Sequence, residues 1–383
     1  MLVIKNAKIF TAAGKVYPKG DILIDNGKIC KVAEEISVPD GAEVLDAAGY
    51  VVTPGLVDAH SHVGTFTSEG QDANEMTANA TPNMEVYYGI DTTSKQFARI
   101  LRSGITTSAV APGSGNVVGG LVCAVKSYGH SIEDMCIKNP VALKMALGGN
   151  PKGVYGKRDQ LPMTRMGVAH VMRETYLKGQ EYMAKKEKGE DVPYDPGMEN
   201  VCRVLRREIP MKVHCEQFDM LTTIRVAEEF NVKFTLDHAW GSSDYYDDIA
   251  NCKNLVGVIF GPIGVYLTPG ECGKVDIDCL KELDRRGVCC AIMTDGPVLN
   301  PDMIVNQAGE AVRFGVSEER AIDMITINAA KIIGLDDRIG SIEEGKDADI
   351  AVFKGQPAKD TGARVVCTIV NGLVAYRDGS ASL

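Results

Sequence analysis

Residues 53–63 read TPGLVDAHSHV, an apolar run entered through a Pro-Gly turn and broken by Asp58, His60 and His62 at every second position. Side chains alternate across a strand, so these three share one face, and a pair of imidazoles two residues apart can grip one ion. Later apolar runs end in single polar groups of the same kind. IPMKVHCE carries His214, VKFTLDHAWG carries His238 and VCCAIMTDGP carries Asp295. The spacing predicts successive strands that deliver these side chains to a common mouth.

The ends of the chain have a different texture. LVIKNAKIFTA, GDILIDNGKICKVA and AAGYVVT at the front are short alternating segments parted by Gly, Asp and Asn turns, and ADIAVFKG and ARVVCTIVNGLVAYRDG repeat the style at the back. Alternation of this sort means antiparallel strands. One small β-sandwich built from both termini is expected, over residues 1–53 and 341–383, around a barrel over residues 54–340.

Within 54–340, apolar strands alternate with helical patterns. Strands are expected near Asp58–His62, Ile105–Ala109, Leu121–Lys126, Val141–Leu147, Met211–His214, Phe234–His238, Val256–Phe260 and Cys289–Asp295. Eight is the count of a closed (β/α)8 TIM-type barrel, an α/β fold whose sites lie at the carboxyl ends of the strands. DTTSKQFARILRSG and DMLTTIRVAEEFN place apolar residues at helical spacing, the first opening on Asp91 as a candidate cap. Residues 178–200 are charged and then rich in Pro and Gly, which predicts a solvated helix running into a surface loop.

Composition narrows the partners. A formal charge of −10 with no Lys/Arg cluster among aromatics argues against nucleic acid. No long uncharged apolar run suggests a membrane span, and the start lacks the layout of a signal peptide, so a cytoplasmic protein is expected. The eleven cysteines form no Cys-x-x-Cys pair, and Cys289 and Cys290 adjoin within an expected strand, which makes a disulfide framework unexpected.

With GDILIDNGKICKVA, VLDAAGYVVTPGLVDAHSH, the later His214, His238 and Asp295, and GSIEEGKDADIAVF in order, the chain resembles the amidohydrolase superfamily over essentially its full length. It is most similar to the branch of imidazolonepropionase-like hydrolases and related metal-dependent dipeptidases. The resemblance implies a metal-dependent hydrolase that cleaves a carbon–nitrogen bond, in a cyclic amide or a small peptide-like amide, with an activated water. His60, His62 and Asp295 would bind a first ion, and His214 and His238 would bind a second or orient substrate. Asp295 and His238 would take part in catalysis, with Asp295 moving the proton. Zn2+ suits such a donor set. Asp58 would fix a histidine's orientation from behind the ligands.

On the fourth strand, Lys144 in VALKMALGGNPKGVYG matches the lysine that carbon dioxide converts to a metal-bridging carbamate in many members. A lysine within an apolar strand is costly without a partner. Many nearer relatives carry Glu where this chain has Gly149, so one ion or two are both open. Tyr155 and Arg165, after that strand, are candidates for binding a substrate carboxylate, as is Lys152. The loop APGSGNVVGG at 111–120 could close on substrate through backbone groups, but its glycines miss the spacing of a dinucleotide fingerprint. His130 and His170 fall outside the pattern.

Two other functions stand beside hydrolysis of an amide. Deaminating relatives commonly place Glu three residues after the fifth-strand histidine, where this chain has Gln217, its Glu being at 216. A catalytically impaired scaffold that keeps the barrel is the other. The expected partner is a small-molecule substrate, and the chain is expected to form a homo-oligomer.

Overall fold

The computed structural model describes residues 1–66, 72–263 and 273–381. Five strands come first: β1 (Leu2–Phe10), β2 (Val16–Asp25), β3 (Lys28–Ala33), β4 (Glu43–Asp46) and β5 (Val51–Pro54). The next eight are β6 (Leu56–Ser61), β7 (Ile105–Val110), β8 (Val118–Lys126), β9 (Cys136–Ala146), β10 (Met211–Cys215), β11 (Phe234–His238), β12 (Leu255–Phe260) and β13 (Cys290–Ile292). Three close the chain: β14 (Ile350–Lys354), β15 (Arg364–Val370) and β16 (Leu373–Arg377).

Strands β6 to β13 lie side by side in chain order in one eight-stranded sheet. Strands β6, β7, β8, β10, β11 and β13 are buried along their whole length, which is why they read as nearly continuous apolar runs. The sheet nearly closes on itself: the His62 amide donates to the Gly296 carbonyl at 2.7 Å, and Thr294 N donates to Asp58 Oδ2 at 3.3 Å.

The barrel departs from the expected all-parallel pattern at its third strand. β8 runs antiparallel to both β7 and β9. The cause lies in the connection. Only residues 111–117 join β7 to β8, whereas a parallel crossover needs roughly a dozen residues or more, so the chain can only turn back. The last strand is also short, ending at Ile292 and leaving Asp295 in the loop beyond it.

The terminal strands pair as β16-β15-β14-β5-β1-β2-β3, with β4 alongside β1. The two ends of the chain meet where β14 runs antiparallel to β5, with Val352 opposite Val52. Hydrogen bonding follows one continuous path through this sheet; a division into two stacked sheets, as in the expected sandwich, is not drawn by the pairing. The sheet keeps its own apolar cluster, including Ile4, Ile9, Ile22, Val352 and Ile369.

Two devices tie this sheet to the barrel. Lys126, at the end of β8 and buried, pairs with Asp347 at 3.1 Å and with Asp349. The chain passes from β5 into β6 through Gly55, where a Cβ would lie 2.2 Å from Thr106 Oγ1. Only glycine lets the backbones approach that closely.

Helices cover the barrel. The longest, Arg165–Glu187, buries Val168, Val171, Met172 and Tyr176 at helical spacing. The helix Lys95–Arg102 is capped by Ser94, whose side chain accepts from Gln96 N. Asp91, the expected cap, instead accepts from Thr93 N in the preceding turn.

Candidate metal centre

His60 lies on β6, His214 on β10 and His238 on β11, while Asp295 follows β13. His60, His238 and Asp295 each bring one donor atom into a group whose members all lie within 4.8 Å of one another. His62 stands beside this group, its Nε2 3.1 Å from Asp295 Oδ1. The rings of His60 and His62 lie 5.2 Å apart, and His214 packs edge-on to His238 at 4.1 Å. The strand ends therefore gather the five side chains, with His238 nearer His60 and Asp295 than the two-by-three division expected from resemblance.

Backbone geometry aims two of them. His238 and Asp295 adopt positive φ, +67° and +53°. Residues other than glycine rarely do so, and such conformations concentrate at functional sites. At His238 the left-handed turn also breaks the alternation of β11, so that Asp237 and His238, neighbours in sequence, both reach groups of the site.

The hydrogen bonds fix which nitrogen of each ring faces inward. His62 Nδ1 lies 2.7 Å from the Ala111 carbonyl, and His238 Nδ1 lies 2.9 Å from the Gly261 carbonyl. His60 Nδ1 lies 2.5 Å from Asp237 Oδ2. Each partner can only accept, so each Nδ1 carries the hydrogen and each Nε2 presents a lone pair. Burial favours the neutral rings: it pulls the pKa of His60 down against the opposing pull of Asp237 and Asp295, and that of His238 well below its ordinary value.

Lone pairs consequently face one another. His60 Nε2 stands 3.4 Å from Asp295 Oδ1, and neither atom, nor His238 Nε2, has a hydrogen-bond partner although all are buried. Orphaned acceptors buried together cost free energy unless a cation lies among them. The donor set fits a divalent ion of the zinc type, for which imidazole and carboxylate are ordinary ligands.

Around this centre stand the other expected residues. Lys144 is wholly buried, its Nζ donating to Ser114 Oγ at 2.8 Å. Burial lowers its pKa to about 8, against the pull of Asp237 and Asp295. His214 is pushed down to about 3, chiefly by burial and then by Lys144. Its Nε2 lies 3.4 Å from both Asn150 Nδ2 and Glu216 Oε1. Gly149 opens the helix Gly149–Gly156, which is how Asn150 comes to His214. A cleft of about 260 Å3 opens onto His62, His214 and Asp295 between polar Asn74 and Ser114 and apolar Met76 and Val298. The 111–120 loop contributes Gly113, Ser114 and Gly115 to its wall.

Three expectations are corrected by the geometry. Asp58 does not hold a histidine ring: it accepts from Thr294 Oγ1 at 2.5 Å and from the His60 amide at 3.2 Å. Burial raises its pKa to about 7. The carboxylate behind a histidine is Asp237. Tyr155 is buried with its hydroxyl 2.6 Å from both the Ala78 carbonyl and Asn116 Oδ1, so it braces the wall rather than meeting a substrate. Arg165 Nε donates to the buried Asp219 carboxylate at 2.9 Å and its guanidinium stacks 4.2 Å over Phe218, which commits it to the protein. His130 and His170 are exposed.

Asp237 and Lys212 escaped sequence reading. Lys212 Nζ lies 2.6 Å from Asp237 Oδ2, and both are buried. The available signal was a charged residue within each of two otherwise apolar strands, PMKVHC and FTLDH.

Residues 211–374 match the amidohydrolase family. The crystal structure of an amidohydrolase from Thermotoga maritima superposes with a TM-score of 0.94 at 38% identity, over 99% of this chain and 100% of that one. The amidohydrolase tasK of Hapsidospora irregularis is 27% identical over 399 residues, covering 94% of this chain; the chain spans 40% of that protein's length. The imidazolonepropionase of Mesorhizobium japonicum is 24% identical over 392 residues, 91% of each.

Proposed function

The chain belongs to the amidohydrolase superfamily, on its imidazolonepropionase-like branch, and from that premise, a hydrolase acting on carbon–nitrogen bonds, we propose a divalent-metal enzyme that opens a cyclic amide or a small peptide-like amide. The observation that carries this reading is the convergence of His60 Nε2, His238 Nε2 and Asp295 Oδ1, buried without a hydrogen-bond partner, with His62 Nε2 3.1 Å from the same carboxylate oxygen. Those four would hold the ion, with zinc the first choice. Lys144 and His214 lie on the side where a second would be held. When bound, such an ion polarises a carbonyl and lowers the pKa of water toward ~7.

The chain's own groups do the rest. Asp295 accepts the proton of the attacking water and passes it to the departing nitrogen. His214, neutral at pH 7, lines the cleft with Asn150 and Ser114, and these orient the polar edge of a substrate. Met76, Val154 and Val298 receive its apolar part. Lys144 is buried beside the centre with its amine partly neutral near pH 8, the form that reacts with carbon dioxide to give a carbamate and a released proton. A small-molecule substrate, a cytoplasmic setting and a homo-oligomer complete the proposal. No described helix is long and apolar enough to cross a membrane.

The test is turnover of cyclic amides and dipeptides by zinc-loaded protein, followed by ring-opening absorbance and by release of free amine. His60→Ala should abolish turnover while circular dichroism stays that of the folded chain. A His60→Ala protein with unchanged rates overturns the assignment. Release of ammonia as the main product would favour a second reading, deamination, for which Glu216 beside His214 is the relevant observation. A metal-bearing chain without any turnover would indicate a scaffold.

A further inference from the structure

We propose that Asp237, held by Lys212 and Thr235, is a positioning residue that locks His60 as an Nε2 donor and thereby sets how tightly the centre holds its cation. This rests on the metal reading above. Asp237 accepts on both oxygens: Oδ1 from Thr235 Oγ1 at 2.6 Å, and Oδ2 from His60 Nδ1 at 2.5 Å with Lys212 Nζ 2.6 Å away. Asp237 and His60 show no exposed surface and Lys212 only 2%. The residues come from β6, β10 and β11, so the cluster joins separate strands inside the barrel.

Stability alone is a poor reason for this arrangement. Removing two charges from water is costly, and a well-packed apolar replacement is often neutral or better. An ion pair that is costly to bury and directed at one ring nitrogen calls for a role at that ring. Of the three rings whose Nδ1 faces away from the centre, His62 and His238 rest on backbone carbonyls and His60 rests on a carboxylate. A carboxylate behind an imidazole fixes its tautomer and orientation and makes the opposite nitrogen a stronger donor. Lys212 keeps that carboxylate in place, and Thr235 sets its rotation. Without Asp237 the His60 ring could turn over or move its hydrogen to Nε2, and the set of lone pairs would lose a member.

Two measurements test this. In 15N-histidine spectra of the metal-free wild-type chain, with His60 identified by its loss in His60→Asn, the ring should carry its hydrogen on Nδ1. A ring protonated on Nε2 overturns the proposal, and no variant need fold for that result. In chelator competition with Zn2+, Asp237→Asn and the charge-balanced Asp237→Asn/Lys212→Met pair should bind about 10- to 100-fold more weakly than wild type. A folded double variant with wild-type zinc affinity overturns it, even if its denaturation midpoint falls, because a merely structural ion pair behaves that way. A wild-type chain that takes up no zinc refutes the metal reading itself, and the spectra still decide the tautomer of His60.

Discussion

At Lys144 a primary amine sits in the barrel wall with no exposed surface and one hydroxyl for a partner among the described hydrogen bonds. Its pKa falls from 10.5 to about 8, so the folded chain binds that proton less readily than the unfolded chain does. Below pH 8 both states are protonated and the native state bears the full penalty, on the order of 3 kcal/mol. The penalty fades as pH rises from about 8 to 10.5. Lys144→Met should therefore be more stable than wild type to urea at pH 7, with the gap closing toward pH 10. If the lysine also serves a second ion, the same variant should bind less metal. Equal urea midpoints at pH 7 would contradict the penalty. The candidate ligands were legible because their chemistry stands out against apolar runs, and Lys144 for the same reason. Asp237 and Lys212 carry no such mark, since their meaning depends on which strands become neighbours across the barrel, and in the sequence Asp58 and Asp237 look alike, each a strand carboxylate near a histidine.

At the level of elements, the barrel and the terminal sheet are joined where β8 delivers Lys126 to Asp347 and Asp349. Asp347 also pairs with Lys28 at 2.7 Å and Arg338 at 3.0 Å, and Asp349 accepts from Asn371 N at 2.9 Å. Lys126→Met removes the shared cation and leaves two buried carboxylates. Breaking a buried pair this way costs about 3–5 kcal/mol, and the partners kept by Asp347 place the expected loss at the lower end. Chemical denaturation should show it, and a variant as stable as wild type would contradict the junction's importance. The apolar runs announced their strands, including β8. Its direction was also implicit in the short connection at 111–117, but counting eight strands invited an all-parallel pattern. The pairing of β5 with β14 followed from the matching texture of the two ends, whereas the continuity of their sheet depends on register that alternation does not specify.

For the whole molecule, function follows from bringing distant parts of the chain to one point: β6, β10, β11 and the loop after β13 supply the candidate ligands. Anything that binds the folded state alone stabilises it, by about 2.7 kcal/mol when the free ligand is 100-fold above its dissociation constant. Zinc should thus raise the denaturation midpoint of chelator-stripped protein in proportion to the logarithm of its concentration. That the ends of the strands would converge was legible from the order of the polar residues, while the lack of hydrogen-bond partners for His60 Nε2, His238 Nε2 and Asp295 Oδ1 is a property of the assembled site. Calorimetric titration of Zn2+ into the stripped chain tests the central claim most directly. At least one tight site per chain is predicted, lost in both His60→Ala and His238→Ala; a wild-type chain that binds none, or variants that bind as wild type does, would contradict it.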